Sequence, residues 1–148
     1  MKIREKEIAE KILKEAKSLY DENLIALGIF GSFARGEFSQ SSDIDLIIII
    51  EEAEKNIKRY KDFYNLETSL GIEINPIVLS VEEAKIFHSI YLSFLDGLII
   101  LYDKLEILKR IVEKLYEFLE KDILEKNETR GVFYWRIKNE EEVSKGLF

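Results

Sequence analysis

Two neighbouring segments of the sequence carry side chains that could bind or transform a ligand. The first is Gly31-Ser32, with Arg35-Gly36 close behind it, and the second is Ser42-Asp43-Ile44-Asp45. Glycines on either side of a serine let the backbone turn sharply and come close to a ligand, which a Cβ atom would hinder. The exposed amides of such a turn can meet phosphate oxygens. The first segment is therefore either a phosphate-binding turn or an ordinary turn, and Arg35 could reach a phosphate or pair with Glu37.

Asp43 and Asp45 stand two positions apart at the start of an apolar segment rich in β-branched residues. In a strand, residues i and i+2 point to the same side, so the two carboxylates should project together. Adjacent carboxylates repel each other unless a cation joins them. Magnesium binds through few carboxylates and completes its shell with phosphates. The spacing therefore predicts a divalent metal site, and the alternative is a pair of aspartates at a frayed strand end.

The order of these motifs resembles the signature of the DNA polymerase beta-like nucleotidyltransferase superfamily. The motifs are the Gly-Ser turn, Arg35-Gly36, Ser42 and the Asp-x-Asp strand. The chain is most similar to the minimal nucleotidyltransferases of archaea and bacteria, which include antitoxins encoded beside HEPN-domain toxins. The resemblance covers about residues 5–80 well, and the aromatic segment Phe133-Tyr134-Trp135 resembles the carboxyl end of some members more loosely.

The resemblance implies an α+β fold, with a short mixed β-sheet flanked by α-helices, and transfer of AMP from ATP to a hydroxyl. It implies that Asp43 and Asp45 hold two Mg²⁺ ions, which neutralise charge during an in-line displacement. It also implies a HEPN toxin as the partner that carries the acceptor hydroxyl, with this chain as its antitoxin. The nucleotide-binding residues would be Gly31, Ser32, Arg35, Gly36 and Ser42.

A third carboxylate, common on the next strand of active family members, is missing from its expected position. Alignment along Ile72–Val78 puts Asn75 there, and an amide cannot accept a proton. Glu73 stands two residues earlier, which predicts the same side of the strand. We therefore expect Glu73 to complete the catalytic and metal-binding set, with Asn75 as the alternative metal ligand.

Two other functions stay open beside protein adenylylation. A binding module could keep the fold and neutralise its partner by contact alone, and Asn75 gives this alternative weight. Transfer to a small molecule is less favoured, because little chain is left after the core for a separate substrate domain.

The elements that must position these residues can be predicted from the apolar periodicity. Apolar residues at three- and four-residue steps predict a helix over residues 5–22. Short, continuously apolar segments predict buried strands over 24–30 and 43–50, the second of them central. A helix is expected over 51–70 and a strand over 72–79. Ala53, Ile57, Tyr60, Phe63 and Leu66 are the apolar residues of that helix, Gly71 marks its end, and Pro76 favours an edge or bulged position for the strand.

Residues 81–148 are expected to form a helical and aromatic extension of the same domain, which spans 1–148. Ser80 and Glu83 match a capping box, which predicts a helix from there to about Phe94. The further expected elements are a turn at Asp96-Gly97, a strand over 98–102, a helix over 105–119 and a strand-like aromatic patch over 132–137. The aromatic patch either closes the core or forms a partner surface. His88 is interpreted as a packing or helix-surface residue.

The composition excludes several classes of function. The 148 residues fit one domain and contain no cysteine, so disulfides, thiolate zinc sites and cysteine nucleophiles are excluded. The chain has 22 Lys and Arg residues and 29 Asp and Glu residues. The resulting net charge of −7 argues against direct binding of long nucleic acid. No apolar run approaches the length of about 18 residues that spans a membrane, and a cytoplasmic location is expected. A homo-oligomer is left open.

Overall fold

The computed structural model describes residues 1–39, 41–52, 59 and 61–148. Its helices are α1 (Ile3–Tyr20), α2 (Tyr64–Leu70), α3 (Val81–Ala84), α4 (Ile107–Glu120) and α5 (Glu140–Ser144). Its strands are β1 (Leu24–Phe30), β2 (Ile44–Ile50), β3 (Ile74–Ser80), β4 (Ile99–Asp103), β5 (Leu124–Thr129) and β6 (Val132–Ile137), and short 3₁₀ helices cover Asp21–Asn23 and Ser89–Leu95. Among the helices of these described residues, none is both long enough and apolar enough to cross a membrane.

Four strands form a mixed sheet in the order β3-β2-β1-β4. Strand β1 runs antiparallel to both β2 and β4, whereas β2 and β3 are parallel. The expectation of a short mixed sheet with β2 inside it is confirmed. Pro76 lies on the edge strand β3, as predicted, and the β2–β3 register runs from Ile44↔Ile74 to Ile50↔Ser80 without a shift. No bulge therefore re-aims the side chains of β3.

The two faces of the sheet are covered by different parts of the chain, because successive strand residues point to opposite sides. One face packs on α1, and the other packs on α4 and the chain beyond it. The residues of β2 on the α1 side are Ile44, Leu46, Ile48 and Ile50, and those on the α4 side are Ile47 and Ile49. By the same alternation Asp45 points to the α4 side. The extension 81–148 thus contributes one of the two layers around the site.

Most of the elements expected in the first half are present. The helix predicted over 5–22 is α1, with Ile8, Ile12 and Ala16 buried, and the strand predicted over 24–30 is β1. The helix expected over 51–70 is seen only as α2, which ends at Gly71 with a φ of 68°. Leu66 of α2 is buried. The predicted helical positions Ala53, Ile57 and Tyr60 lie outside the described residues.

The helix expected from Ser80 to about Phe94 is much shorter than predicted. The capping box is present: Glu83 N–H donates to Ser80 Oγ at 3.2 Å, and Ser80 N–H donates to Glu83 Oε1 at 2.9 Å. The helix nevertheless ends at Ala84, because side chains take the carbonyls that a continuing helix would use. Tyr91 O–H donates to the Ala84 carbonyl at 2.8 Å, and His88 Nε2 lies 2.8 Å from the Glu83 carbonyl. His88 is thus a packing residue, as interpreted.

Residues 124–137 form an antiparallel hairpin in which β5 pairs with β6. The strand-like character of 132–137 is confirmed, whereas β5 was not expected because it is mostly polar. Phe133 and Tyr134 are 61% and 47% exposed, so the interpretation that the aromatic patch closes the core is wrong for these two residues. Trp135 of β6 pairs with Lys126 of β5, and its Nε1–H donates to the Asp96 carboxylate, with 3.2 Å from Nε1 to each oxygen.

Candidate active site

The Gly-Ser turn begins where β1 ends at Phe30. Gly31 has a φ of 75°, a backbone conformation that favours glycine. Arg35 N–H donates to the Gly31 carbonyl at 3.1 Å, and Glu37 N–H donates to the Ser32 carbonyl at 2.9 Å. Within the part of the chain that the structure describes, the N–H groups of Ser32 and Phe33 meet no protein acceptor. They remain able to bind an anionic ligand.

Asp43, Asp45 and Asn75 come together beside this turn. Parallel pairing sets Asn75 of β3 directly against Asp45 of β2. The Asn75 amide also donates from Nδ2 to Asp43 Oδ2 at 3.2 Å. One neutral amide therefore contacts the two carboxylates that the i, i+2 spacing predicted to be neighbours.

The carboxyl group of Asp45 sits in an environment that disfavours its charge. Burial raises the pKa of Asp45, and the negative charge of Asp43 raises it further, while the hydrogen bond from Asn75 and the positive charge of Arg35 act in the opposite direction. The net direction is upward. A cation placed between the two aspartates would remove this penalty.

Gly31 and Asp45 approach each other closely enough that position 31 has no room for a side chain. A Cβ atom built at Gly31 would overlap Asp45 Oδ2. Gly36 also has a φ of 75°, but a Cβ atom built at this position would have no atom within 4 Å. Gly31 is thus required by the space beside a carboxylate as well as by its backbone angle, and Gly36 by its backbone angle alone.

These residues line one open cleft of about 460 Å³. Its lining residues are Phe30, Gly31, Ser32, Arg35, Ser42, Asp43, Asp45, Asn75, Pro76, Ile77, Ile90 and Ser93. Ile90 and Ser93 come from the 3₁₀ helix of the extension. Sequence reasoning missed both, because a single apolar residue and a single serine have no motif of their own. Their position follows from the docking of Ser89–Leu95 over the sheet.

Several site residues expected from the sequence are placed differently. Glu73 precedes the first residue of β3, its carbonyl accepts from Ile44 N–H at 2.9 Å, and its exposed side chain is absent from the cleft lining. No group of three acidic or histidine side chains suited to a metal occurs among the described residues. Since Glu73 precedes β3, alternation along the strand does not place its side chain in the cleft, and its expected role in the catalytic and metal-binding set stays a prediction. Asn75 occupies the position instead, and Gly36 lies outside the lining.

Arg35 and Ser42 line the cleft, but each also has a partner within the protein. Arg35 Nε lies 3.1 Å from Glu37 Oε2 on the surface. Ser42 Oγ accepts from Ser39 N–H at 3.1 Å and so holds the loop that leads into β2. Both open interpretations of Arg35 are therefore compatible with its position.

The donor set fits a divalent metal ion with hard oxygen ligands. Asp43 and Asp45 offer carboxylate oxygens, and Asn75 can offer its amide oxygen after the amide turns, because Nδ2 is the atom that now faces Asp43. The missing Cβ of Gly31 leaves room for the Asp45 carboxylate in its present position. Ser32 lines the same cleft, and its N–H meets no acceptor among the described residues, so it could bind a phosphate oxygen.

A mixed sheet that brings a Gly-Ser turn and an Asp-x-Asp strand into one cleft is the arrangement of an enzyme that transfers nucleotidyl groups. Residues 9–144 match the profile of the family described as "Nucleotidyltransferase domain", and the chain belongs to this family. The match runs through both the segment 5–80 and most of the extension.

Curated relatives with similar sequences are nucleotidyltransferases by name. Two proteins of Methanocaldococcus jannaschii are each named "Putative protein adenylyltransferase". One is 27% identical over 121 residues, which are 77% of this chain and 82% of the relative. The other is 40% identical over 72 residues, which are 49% of this chain and 81% of the relative. The bifunctional uridylyltransferase/uridylyl-removing enzyme of Stutzerimonas stutzeri is 37% identical over 79 residues, 50% of this chain but 9% of that enzyme.

Solved structures of toxin–antitoxin complexes contain chains with the same fold. A chain from a toxin–antitoxin crystal structure with AMP-PNP matches with a TM-score of 0.55 and 17% identity, over 77% of this chain and 90% of that one. A chain from the complex of tri-AMPylated Shewanella oneidensis HEPN toxin with MNT antitoxin matches with a TM-score of 0.52 and 16% identity, over 80% and 91%. At these identities the likeness shows the fold.

Proposed function

We propose that this chain transfers AMP from ATP to a hydroxyl group of a partner protein. The observation that carries the proposal is the cleft in which the Gly31-Ser32 turn faces Asp43 and Asp45. Two curated relatives named as protein adenylyltransferases support the nature of the transferred group and of the acceptor.

Each part of the cleft has a role in the proposed reaction. The Ser32 amide and Arg35 would hold the triphosphate, and the missing Cβ of Gly31 leaves room for the Asp45 carboxylate. Asp43 and Asp45 would hold the divalent metal, Mg²⁺ by preference, with Asn75 as a neutral neighbour. When bound, such a cation neutralises charge on the attacking and leaving oxygens of an in-line displacement.

The bonds that change follow from the chemistry of adenylyl transfer. The acceptor oxygen forms a bond to the α-phosphorus while the bond to the β-phosphate bridging oxygen breaks, and pyrophosphate leaves. Asn75 cannot accept the hydroxyl proton, because a neutral amide is not basic, and Asp43 and Asp45 are the residues that would hold the cation. The proton would pass to solvent water at the open side of the cleft, where Asp43 is exposed.

We propose a HEPN toxin as the acceptor, with this chain as its antitoxin. The support is the fold shared with a chain of the complex between tri-AMPylated HEPN toxin and MNT antitoxin, over 80% of this chain. Asn75 favours a second candidate function, in which the chain binds nucleotide but neutralises the toxin by contact alone. The amide occupies the position beside both aspartates where a third carboxylate would serve as a base.

Growth of cells that express a HEPN-domain toxin distinguishes the two functions. The toxin is expressed alone, with the wild-type chain, or with the chain that carries Asp43→Asn and Asp45→Asn. Adenylyl transfer predicts rescue of growth by the wild type, an AMP adduct on the toxin by intact-mass spectrometry, and loss of both with the double variant. Equal rescue by the double variant, without an adduct, would establish the contact mechanism instead.

A further inference from the structure

We propose that Asn75 limits the cleft to one divalent cation for each bound nucleotide. The inference rests on the proposed function, because it concerns the metal site of the same cleft. The sequence resemblance implied two Mg²⁺ ions, and the charges around the site argue for a smaller number.

The formal charge of the cleft is small. Among the described lining residues, the charged side chains are Asp43, Asp45 and Arg35, which sum to −1. One divalent cation is neutralised by two carboxylates and completes its shell with phosphate oxygens. The triphosphate of a bound nucleotide brings negative charge of its own, which would satisfy one cation together with Asp43 and Asp45. A second cation would have to share the same two carboxylates, because the described lining offers no third one, and it would meet the repulsion of the first cation and of Arg35.

Asn75 stands where a third carboxylate would have supplied the missing charge. Its register partner is Asp45, and its Nδ2 lies 3.2 Å from Asp43 Oδ2. The amide therefore reaches both carboxylates but adds no negative charge. Its N–H also competes with a cation for Asp43, so the amide must turn before its oxygen can act as a ligand.

Among the described residues, no other acidic side chain supplies the negative charge that a carboxylate at position 75 would add to the cleft. Glu73 is exposed, precedes β3 and is absent from the cleft lining. No cluster of three acidic or histidine groups suited to a metal occurs in the described ranges. The number of bound cations should therefore depend on the residue at position 75.

Counting bound Mn²⁺ in the presence of AMP-PNP tests this inference without measuring activity. Equilibrium dialysis against a fixed concentration of Mn²⁺ and AMP-PNP allows for the Mn²⁺ that AMP-PNP binds in solution, and the excess Mn²⁺ on the protein side gives bound Mn²⁺ per chain for wild type, Asn75→Asp and the control Asn139→Asp. Asn139 caps α5 outside the cleft, and aspartate is an equally good cap, so the control adds the same charge without disturbing the fold. We expect about one bound Mn²⁺ per chain for wild type and the control, and about two for Asn75→Asp.

Each other outcome has a definite meaning. Two Mn²⁺ ions bound to wild type would overturn the inference and leave the proposed function standing. One ion in both wild type and Asn75→Asp would show that position 75 does not set the number. AMP-PNP that binds wild type neither with nor without Mn²⁺ would overturn the proposed function itself. If circular dichroism shows that Asn75→Asp is unfolded, the wild-type count of one or two still decides the number of cations.

Discussion

The Asp45 carboxylate lies in surroundings that favour its neutral form until a cation binds beside it. Burial and the nearby charge of Asp43 raise its pKa, so the ionised form is disfavoured in the ligand-free chain. Replacing Asp45 by Asn removes the charge that is disfavoured. Without metal, we expect Asp45→Asn to melt at a higher temperature than wild type in differential scanning fluorimetry.

The same variant should lose its response to ligand. With Mg²⁺ and AMP-PNP, the wild type should gain thermal stability, whereas Asp45→Asn should bind the nucleotide at least about tenfold more weakly, since a lost charge-assisted contact is worth about 1.5–3 kcal/mol. Glu120→Gln, an exposed change on α4, serves as the control and should behave like wild type. An Asp45→Asn variant that binds nucleotide and metal as wild type does would remove Asp45 from the site.

Gly31 and Gly36 form a matched pair of positions in the same turn. Both have a φ of 75°, so an alanine at either position should cost about 1–2 kcal/mol of folding free energy. Only at position 31 would the new Cβ overlap the Asp45 carboxylate. We therefore expect Gly31→Ala to weaken AMP-PNP binding strongly and Gly36→Ala to weaken it little, with the larger loss of stability in urea at position 31, where the Asp45 side chain must move. Equal losses of affinity in calorimetry would mean that the turn has a structural role only.

The site residues could be predicted from the sequence only where a local rule fixes their direction. Asp43 and Asp45 were found because strand alternation is local, and Gly31-Ser32 because a turn must follow an apolar strand. The choice between Glu73 and Asn75 required the register of β3 against β2, which no local rule supplies. Ile90 and Ser93 required the docking of a distant segment.

The strands of the four-stranded sheet and the helix α4, expected over 105–119 and found over Ile107–Glu120, were predicted better than the helix expected from Ser80 to about Phe94. Continuous apolar segments such as 24–30 can be satisfied only in a buried sheet, so their bounds were close. The helix that begins at Ser80 had the correct cap but ends early, because Tyr91 and His88 contact its last carbonyls from later in the chain. Such a tertiary contact overrides local propensity and leaves no local signal.

Tyr91 therefore connects α3 to the 3₁₀ helix that carries Ile90 and Ser93 into the cleft. Its hydroxyl is buried and donates to the Ala84 carbonyl at 2.8 Å. Tyr91→Phe keeps the ring but leaves that carbonyl without its donor, which should lower the free energy of unfolding by about 1–3 kcal/mol. Urea denaturation should show this loss, whereas Tyr116→Phe, 52% exposed, should change stability by less than about 0.5 kcal/mol. Equal stabilities for the two variants would refute the role of the hydroxyl.

The net charge of the chain limits its ability to bind nucleic acid without a partner protein. The net charge is −7, which repels a polyphosphate backbone. We expect fluorescence anisotropy to detect no binding of the purified chain to a labelled RNA or DNA of mixed sequence at physiological salt. Lowering the salt should reveal weak binding at most, since the 22 basic side chains are outnumbered by 29 acidic ones. Tight binding that weakens steeply with salt would contradict this expectation.

The central claim is that the cleft between the Gly31-Ser32 turn and the two aspartates transfers AMP to a protein, and the fate of two labels on ATP tests it most directly. The purified chain, a HEPN-domain toxin and Mg²⁺ are incubated with ATP labelled at either the α- or the γ-phosphate, and the proteins are denatured before counting. The account predicts that the toxin retains the α label only, that the γ label leaves as pyrophosphate, and that the double variant Asp43→Asn, Asp45→Asn transfers neither. Retention of the γ label on the toxin, or an α label that survives the double variant, would contradict the account.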